Sequence, residues 1–123
     1  SYDLVSLLKD CYVRWPDAVI EQGMRLGFDT LQEAGLLGNL DYAAFRRAAD
    51  LTGMQRHLKA AGLFTRLYHR DGKAGYLKDI PRTLGYVVDV CRSHGAAYPV
   101  LARFGQWLEQ VVLPGLARTG VTP

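Results

Sequence analysis

The feature that most constrains this chain is a long helical pattern that opens near Asp41 and runs to about Tyr68. In its second half, from Leu51 to Leu67, apolar residues recur at helical spacing on more than one side. A helix that is apolar nearly all round is expected to be buried. The pattern therefore predicts a long central helix around which the rest of the chain packs.

Three basic side chains interrupt the apolar surface of this helix, namely Arg56, His57 and Lys59. Charged groups on a buried helix are unfavourable unless they are paired or face a polar cleft. One interpretation is an internal ion-pair set, in which Asp50 braces Arg46 or His57 one or two turns along. The other is a cleft in which Arg56 and His57 bind an oxygen-rich ligand. Lys59 is expected to extend to solvent.

Four other stretches show helical periodicity, and none alternates at period two for long enough to predict a strand. In the last three of these stretches, a proline lies in the first turn and a glycine lies at the end, as is typical of helices. Asp41 is the expected N-cap of the central helix, and the polar segment 69–75 is expected to be a loop. The predicted bounds of the four helices are Asp3 to Arg14, Pro16 to Gly35, Asp79 to Gly95, and Tyr98 to Pro114.

The apolar positions of each helix define the face expected to point inward. For the four helices in chain order, these faces are Leu4, Leu7, Leu8, Cys11, Tyr12 and Trp15; Ile20, Met24, Gly27, Leu31 and Ala34; Leu84, Val87, Val88 and Cys91; and Leu101, Phe104, Leu108 and Val111. The prediction is an all-α fold, with about five helices packed around the central one as a single domain over residues 1–123.

Charge and composition argue against several classes of function. The 15 Lys and Arg residues exceed the 12 Asp and Glu residues by only three, and they are scattered, so no nucleic-acid partner is expected. No apolar run in this sequence is long enough to span a membrane, so no membrane partner is expected, and no signal peptide is expected either. Two cysteines at apolar positions favour a reducing compartment, which predicts a cytoplasmic protein.

Short catalytic motifs are incomplete in this chain. His69-Arg70-Asp71 matches the start of a protein-kinase catalytic loop, but Tyr76 stands where the metal-binding asparagine is required. The three histidines lack the spacing of paired metal ligands on a helix, and no nucleophile motif is present. We therefore expect no catalytic residue and no metal ligand in this chain.

Four segments carry a resemblance to a known family. They are Tyr2 to Tyr12; Gly53 to Lys59 with Gly62 to Leu67; Arg70 to Lys73; and Tyr76 to Arg82. Together they resemble the C-terminal part of the aminoglycoside phosphotransferase-like kinases. Within that superfamily they are most similar to the bacterial sugar kinases that phosphorylate the anomeric hydroxyl of N-acetylmuramate and N-acetylglucosamine in cell-wall recycling. The resemblance extends from Tyr2 to about Pro114.

The resemblance implies the C-terminal helical part of a protein-kinase-like fold, which covers the acceptor side of the active site. The ATP-binding N-terminal lobe and both catalytic aspartates, with their Mg²⁺, would lie upstream, so the chain is expected to be a fragment that binds no cofactor and is inactive alone. Arg56 and His57 would contact the sugar. Asp3 would support the catalytic loop, unless it is simply the N-cap of the first helix.

Two alternatives to a sugar kinase stay open at this point. One is a fragment of an aminoglycoside phosphotransferase, although the basic central helix is poorly suited to a polycationic ligand. The other is a stand-alone helical interaction or nucleic-acid-binding module. The kinase hypothesis further predicts exposed apolar surface near the first and third helices, where the missing lobe would dock.

Overall fold

The computed structural model describes residues 2–120, and every regular element in this range is helical. The elements are α1 (Tyr2–Leu8), α2 (Asp17–Glu33), α3 (Tyr42–Asp71), a 3-10 helix (Ala74–Asp79), α4 (Ile80–His94), α5 (Pro99–Trp107), a π-helical segment (Leu108–Val112) and α6 (Leu113–Arg118). The absence of strands from residues 2–120 and the 30-residue α3 confirm the predicted all-α class and long central helix.

The chain divides into two compact units, Ser1–Gly53 and Met54–Pro123. The boundary falls within α3, so this helix contributes side chains to the core of each unit. The expectation of a single domain over residues 1–123 stays a prediction.

In the first unit, α1, α2 and the beginning of α3 share one apolar core. The close approach of α1 to α2 depends on two glycines of α2: a Cβ atom added to Gly23 or Gly27 would lie 2.5 Å from a Cδ atom of Leu8 or Leu4. Small residues at these positions therefore let the two helices pack. The core consists of Val5, Leu8, Ile20, Met24 and Ala49, with Leu4 and Tyr42 packed against it.

The first helix is shorter than predicted, because a local side-chain bond competes with it. It ends at Leu8, where the sequence predicted Arg14. An oxygen of Asp10 accepts hydrogen bonds from the backbone N–H groups of Tyr12 and Val13, at 2.6 and 3.2 Å. Such bonds give the backbone an alternative to the helix ladder.

The irregular path after α1 also overturns part of its predicted inward face. Leu7, Tyr12 and Trp15 are 67%, 53% and 42% exposed. The Trp15 indole N–H donates to the Leu7 carbonyl at 3.2 Å, which holds the turned segment against the end of α1. Cys11 is buried as predicted, but it lies in a bend outside the helix.

The helix boundaries around residues 33–44 agree with the predicted caps. The backbone N–H of Ala44 donates to the Asp41 carboxylate at 2.8 Å, which confirms Asp41 as the N-cap of α3. Gly35 follows α2 with a φ of 71°, a conformation that L side chains rarely adopt. Ala34, predicted to be inward, is exposed.

In the second unit, α4 supplies most of the core. Its predicted inward residues are all buried, which confirms that face. A Cβ atom added to Gly105 of α5 would lie only 2.7 Å from the Cβ atom of Cys91, so α5 contacts α4 at this glycine. The core consists of Val87, Val88, Cys91 and Leu108, with Met54, Leu101, Phe104, Val112 and Leu113 packed against it.

The segment predicted as a loop after Tyr68 is largely helical. The α3 helix continues through His69, Arg70 and Asp71, and it ends where Gly72 takes a φ of 66°. The Arg70 guanidinium donates to the neighbouring Asp71 carboxylate at 2.8 Å. The kinase-like tripeptide is therefore the last turn of a helix.

The last helical stretch also runs further than predicted. Pro114 does not end it: α5 passes through the π-helical segment directly into α6, which continues to Arg118. Proline lacks an N–H and clashes with the carbonyl four residues earlier, here Gln110. Gln110 lies in the wider π turn, which accommodates that clash. Val111, predicted to be inward, is 52% exposed.

Candidate functional site

Within the second unit, α3 has distinct buried and exposed faces. His57, Ala61 and Phe64 are buried, whereas Leu58 and Leu63 are 36% and 41% exposed. The prediction that this helix is apolar and buried nearly all round is therefore wrong. The polar side chains of α3 can therefore be buried or exposed, depending on the face on which each one lies.

His57 is a core side chain in this structure. It has no exposed surface, and its ring stacks on that of Tyr86 from α4, with centroids 4.7 Å apart and an interplanar angle of 17°. Tyr86 is itself only 1% exposed. The pair fixes α3 against α4 by burying two aromatic rings. The expected contact of His57 with a sugar stays a prediction.

The other two predicted site residues differ in exposure. Arg56 lies next to His57 on α3 and is partly buried. Asp3 lies in the first unit, exposed in the first turn of α1, where a carboxylate complements the helix dipole. Because α1 begins at Tyr2, Asp3 lies inside the helix and is not its N-cap.

The ion pairing predicted within α3 is present between Arg46 and Asp50. The Arg46 Nε atom donates to an Asp50 oxygen at 3.1 Å. The same oxygen accepts a hydrogen bond from Lys9 Nζ, just after α1, at 3.0 Å. Lys9 and Asp50 are 6% and 5% exposed. Lys9 was not predicted as a partner of Asp50, because it comes 41 residues earlier and no local pattern links the two.

Further groups extend this ion pair across the first unit. Arg46 pairs with Glu21 of α2, and Glu21 accepts a hydrogen bond from the Tyr42 hydroxyl. That hydrogen bond lowers the pKa of Glu21, with help from Arg46. Burial and the bond to Glu21 raise the pKa of Tyr42. The Arg25 guanidinium carbon lies 3.5 Å from the centroid of the Tyr42 ring, which adds a cation–π contact.

Four residues on the exposed face of α3 line a basic groove of about 340 Å³: Lys59, Gly62, Leu63 and Arg66. Their spacing of three, four and seven residues places them on one stripe of the helix. Two donors carrying positive charge lie beside an apolar side chain and a glycine. This combination can bind an anion that also has apolar surface.

A second cleft of about 350 Å³ lies between α4 and α5. Cys91, Gly105 and Ala102 are among its lining residues, and Arg92 and Glu109 form an ion pair beside it. Burial raises the pKa of the Cys91 thiol, which keeps it protonated despite a hydrogen bond from the Gly105 backbone. This thiol is therefore not activated as a nucleophile.

Two other kinds of site are absent from residues 2–120. Within this range, no group of three or more His, Cys, Asp or Glu side chains could hold a metal ion. In the part of the chain that the structure describes, no helix is long and apolar enough to cross a membrane.

Over most of its length, this chain is similar to kinases that act on sugars. Three relatives are N-acetylmuramate/N-acetylglucosamine kinases, which confirms the resemblance to those kinases. The aminoglycoside phosphotransferase-like superfamily and the C-terminal placement stay predictions. The kinase from Pseudomonas putida is 40% identical over 111 residues, or 90% of this chain. Those from Neisseria meningitidis serogroup B and Pseudomonas aeruginosa are 40% and 38% identical over 83% and 88% of the chain.

The match covers only part of each relative. The chain spans 30% to 32% of the length of these three kinases. No family model matches the chain, and no solved structure matches it.

Proposed function

We propose that this chain is the substrate-side, C-terminal part of an ATP-dependent phosphotransferase that phosphorylates an N-acetylated amino sugar in cell-wall recycling. The observation that supports this proposal is the 38% to 40% identity to N-acetylmuramate/N-acetylglucosamine kinases over most of the chain. ATP and Mg²⁺ would be held by an N-terminal lobe of the same cytoplasmic protein. The chain alone would be inactive.

Phosphoryl transfer depends mainly on positioning and on electrostatic stabilisation, so a helical wall with fixed donors is a useful contribution to it. In this proposal, Arg56 donates hydrogen bonds to the sugar. His57 has no exposed surface in this structure and holds α3 on α4 through its stack with Tyr86, and its contact with the sugar stays a prediction. Asp3 would support the catalytic loop from α1.

The test is ATP consumption by the full-length protein with three candidate acceptors: N-acetylmuramate, N-acetylglucosamine and kanamycin. We expect turnover with one or both sugars and none with kanamycin. Turnover with kanamycin alone would favour the aminoglycoside alternative. No acceptor-dependent ATP consumption, together with salt-sensitive binding to duplex DNA, would favour a nucleic-acid-binding module.

The role of Arg56 is tested by Arg56→Ala in the full-length protein. Loss of a charge-assisted hydrogen bond is expected to raise KM for the sugar roughly tenfold or more, with little change in KM for ATP. Arg103→Ala on α5, which removes an exposed arginine, is the matched control and should change neither value. Equal effects of Arg56→Ala on both KM values would contradict a sugar contact.

A further inference from the structure

Neither close packing nor a positive φ requires a glycine at position 62. It lies in the interior of α3, where glycine is about 1 kcal/mol less favourable than alanine. A Cβ atom added there would meet no atom within 4 Å, and its φ is not positive. Gly23 and Gly105, by contrast, are helix glycines closely approached by neighbouring side chains. The lack of a side chain at Gly62 therefore keeps the basic groove open.

The cations of the groove stand on either side of this glycine. Lys59 precedes Gly62 by three residues and Arg66 follows it by four, which separates them by about 10 Å along the helix axis. Both side chains are exposed, and within residues 2–120 neither lies at ion-pair distance from an acid. The positive charge of Arg66 also contributes to lowering the pKa of Asp71, which does not line the groove. The groove thus presents two cationic donors and no carboxylate of its own.

The two sugars named for the relatives differ in one charged group. N-acetylmuramate carries a lactyl ether that ends in a carboxylate and bears a methyl group, whereas N-acetylglucosamine has a hydroxyl at that position. Lysine and arginine donate charge-assisted hydrogen bonds to a carboxylate. Leu63, which is 41% exposed in the groove, offers an apolar contact to the methyl group.

We propose that the basic groove is the subsite for the lactyl carboxylate of N-acetylmuramate, and that Lys59 and Arg66 determine preference for this sugar over N-acetylglucosamine. This inference rests on the proposed sugar-kinase function. Gly62 lets the lactyl group approach the helix backbone closely, between the two cations. N-acetylglucosamine makes no use of either charge.

The charge of the groove is tested by Lys59→Gln and Arg66→Gln in the full-length protein, with KM and kcat measured for each sugar. Each variant is expected to raise KM for N-acetylmuramate by tenfold or more. KM for N-acetylglucosamine and kcat for both sugars should stay within about twofold of the unsubstituted protein, since only the carboxylate loses a partner. Arg103→Gln removes an exposed charge elsewhere in the second unit and should leave all values unchanged.

The open space of the groove is tested by Gly62→Leu. Leucine favours the helix, so Tm should not fall, while the added side chain fills the groove and raises KM for N-acetylmuramate by at least tenfold. Gly75→Leu is the matched control, because Gly75 is also exposed and also has no atom within 4 Å of an added Cβ. It should change neither KM.

The outcomes separate this inference from the proposed function. If the unsubstituted protein phosphorylates both sugars and the groove variants behave like their controls, the subsite is elsewhere and the inference alone fails. Equal rises in KM for the two sugars would likewise overturn the carboxylate assignment. If the unsubstituted protein phosphorylates neither sugar, the proposed function fails, and the inference fails with it.

Discussion

The two units bury polar side chains in different ways. In the first unit, the Lys9–Asp50 ion pair joins residues 41 positions apart in the sequence and shares its acid with Arg46. In the second, the buried acid Asp79 pairs with Arg82 only three residues later, at 2.9 Å. The first unit depends on a charge that lies just after α1, far from Asp50 in the sequence, and the second unit depends on a local pair. Removing a single acid should therefore affect the two units differently.

The largest effect is expected from Asp50→Ala, which removes the acid that Lys9 and Arg46 share. Breaking a buried ion pair by removing one partner typically lowers the free energy of unfolding by about 3–5 kcal/mol. Urea unfolding followed by circular dichroism measures this change. Asp17→Ala is the control, because the side chain of Asp17 is 90% exposed, 3.8 Å from Arg14, and its loss should change little.

A double substitution sharpens the same comparison. Lys9→Met with Asp50→Leu replaces both charges by apolar groups of similar size, and such replacements are often neutral or stabilising. The double variant should therefore unfold at a higher urea concentration than Asp50→Ala. A double variant as unstable as Asp50→Ala would show that the packing around Asp50, and not the lost charge pair, accounts for the effect.

A smaller effect is expected from glycine substitutions at the helix contacts of each unit. Gly105→Ala brings a Cβ atom to 2.7 Å from the Cys91 Cβ, which cannot move without its backbone, so a loss of about 1–3 kcal/mol is expected. Gly23→Ala meets the Cδ atoms of Leu8, which move by side-chain rotation, and should lose less. Thermal unfolding of both variants measures the difference. A larger loss from Gly23→Ala would contradict this account.

The smallest effect is expected in how the stability of the first unit depends on pH. Hydrogen bonding from Tyr42 lowers the folded-state pKa of Glu21 below its ordinary value of 4.5. Its contribution to stability is therefore present above that value and is lost as pH falls through the folded-state pKa. Glu21→Gln should weaken the acid dependence of the unfolding midpoint between about pH 6 and pH 3. Glu33→Gln, at the exposed end of α2, is the control and should leave it unchanged.

Local chemistry made much of the fold predictable from the sequence. The Asp41 cap and the inward face of α4 were predicted correctly, because each depends on residues within a few turns. The early end of α1 was missed, although Asp10 two residues before Tyr12 is a local signal for the bond that competes with the helix. The π-helical passage before Pro114 was missed because proline ordinarily ends a helix.

The candidate site was less predictable, since periodicity identifies faces without saying what covers them. The sequence placed cationic residues on α3 and correctly predicted that Lys59 is exposed. It did not reveal that the ring of His57 is buried, or that Lys59 and Arg66 line one groove. Leu58 and Leu63 are apolar, yet they are 36% and 41% exposed, which helical periodicity alone does not show. Apolar Tyr2 and Leu7 of α1 are exposed as well, and the docking of a further lobe near the first helix stays a prediction.

The sequence by itself determined the helical class, the presence and start of α3, the boundary glycine of α2 and the similarity to sugar kinases, because these depend on nearest neighbours along the chain or on residue identity. Only the tertiary structure decided that Lys9 meets Asp50, that Tyr86 covers His57 and that Gly62 lies in open space. The physical reason is that a side chain's burial and partners are set by helices distant in sequence, which no local pattern specifies.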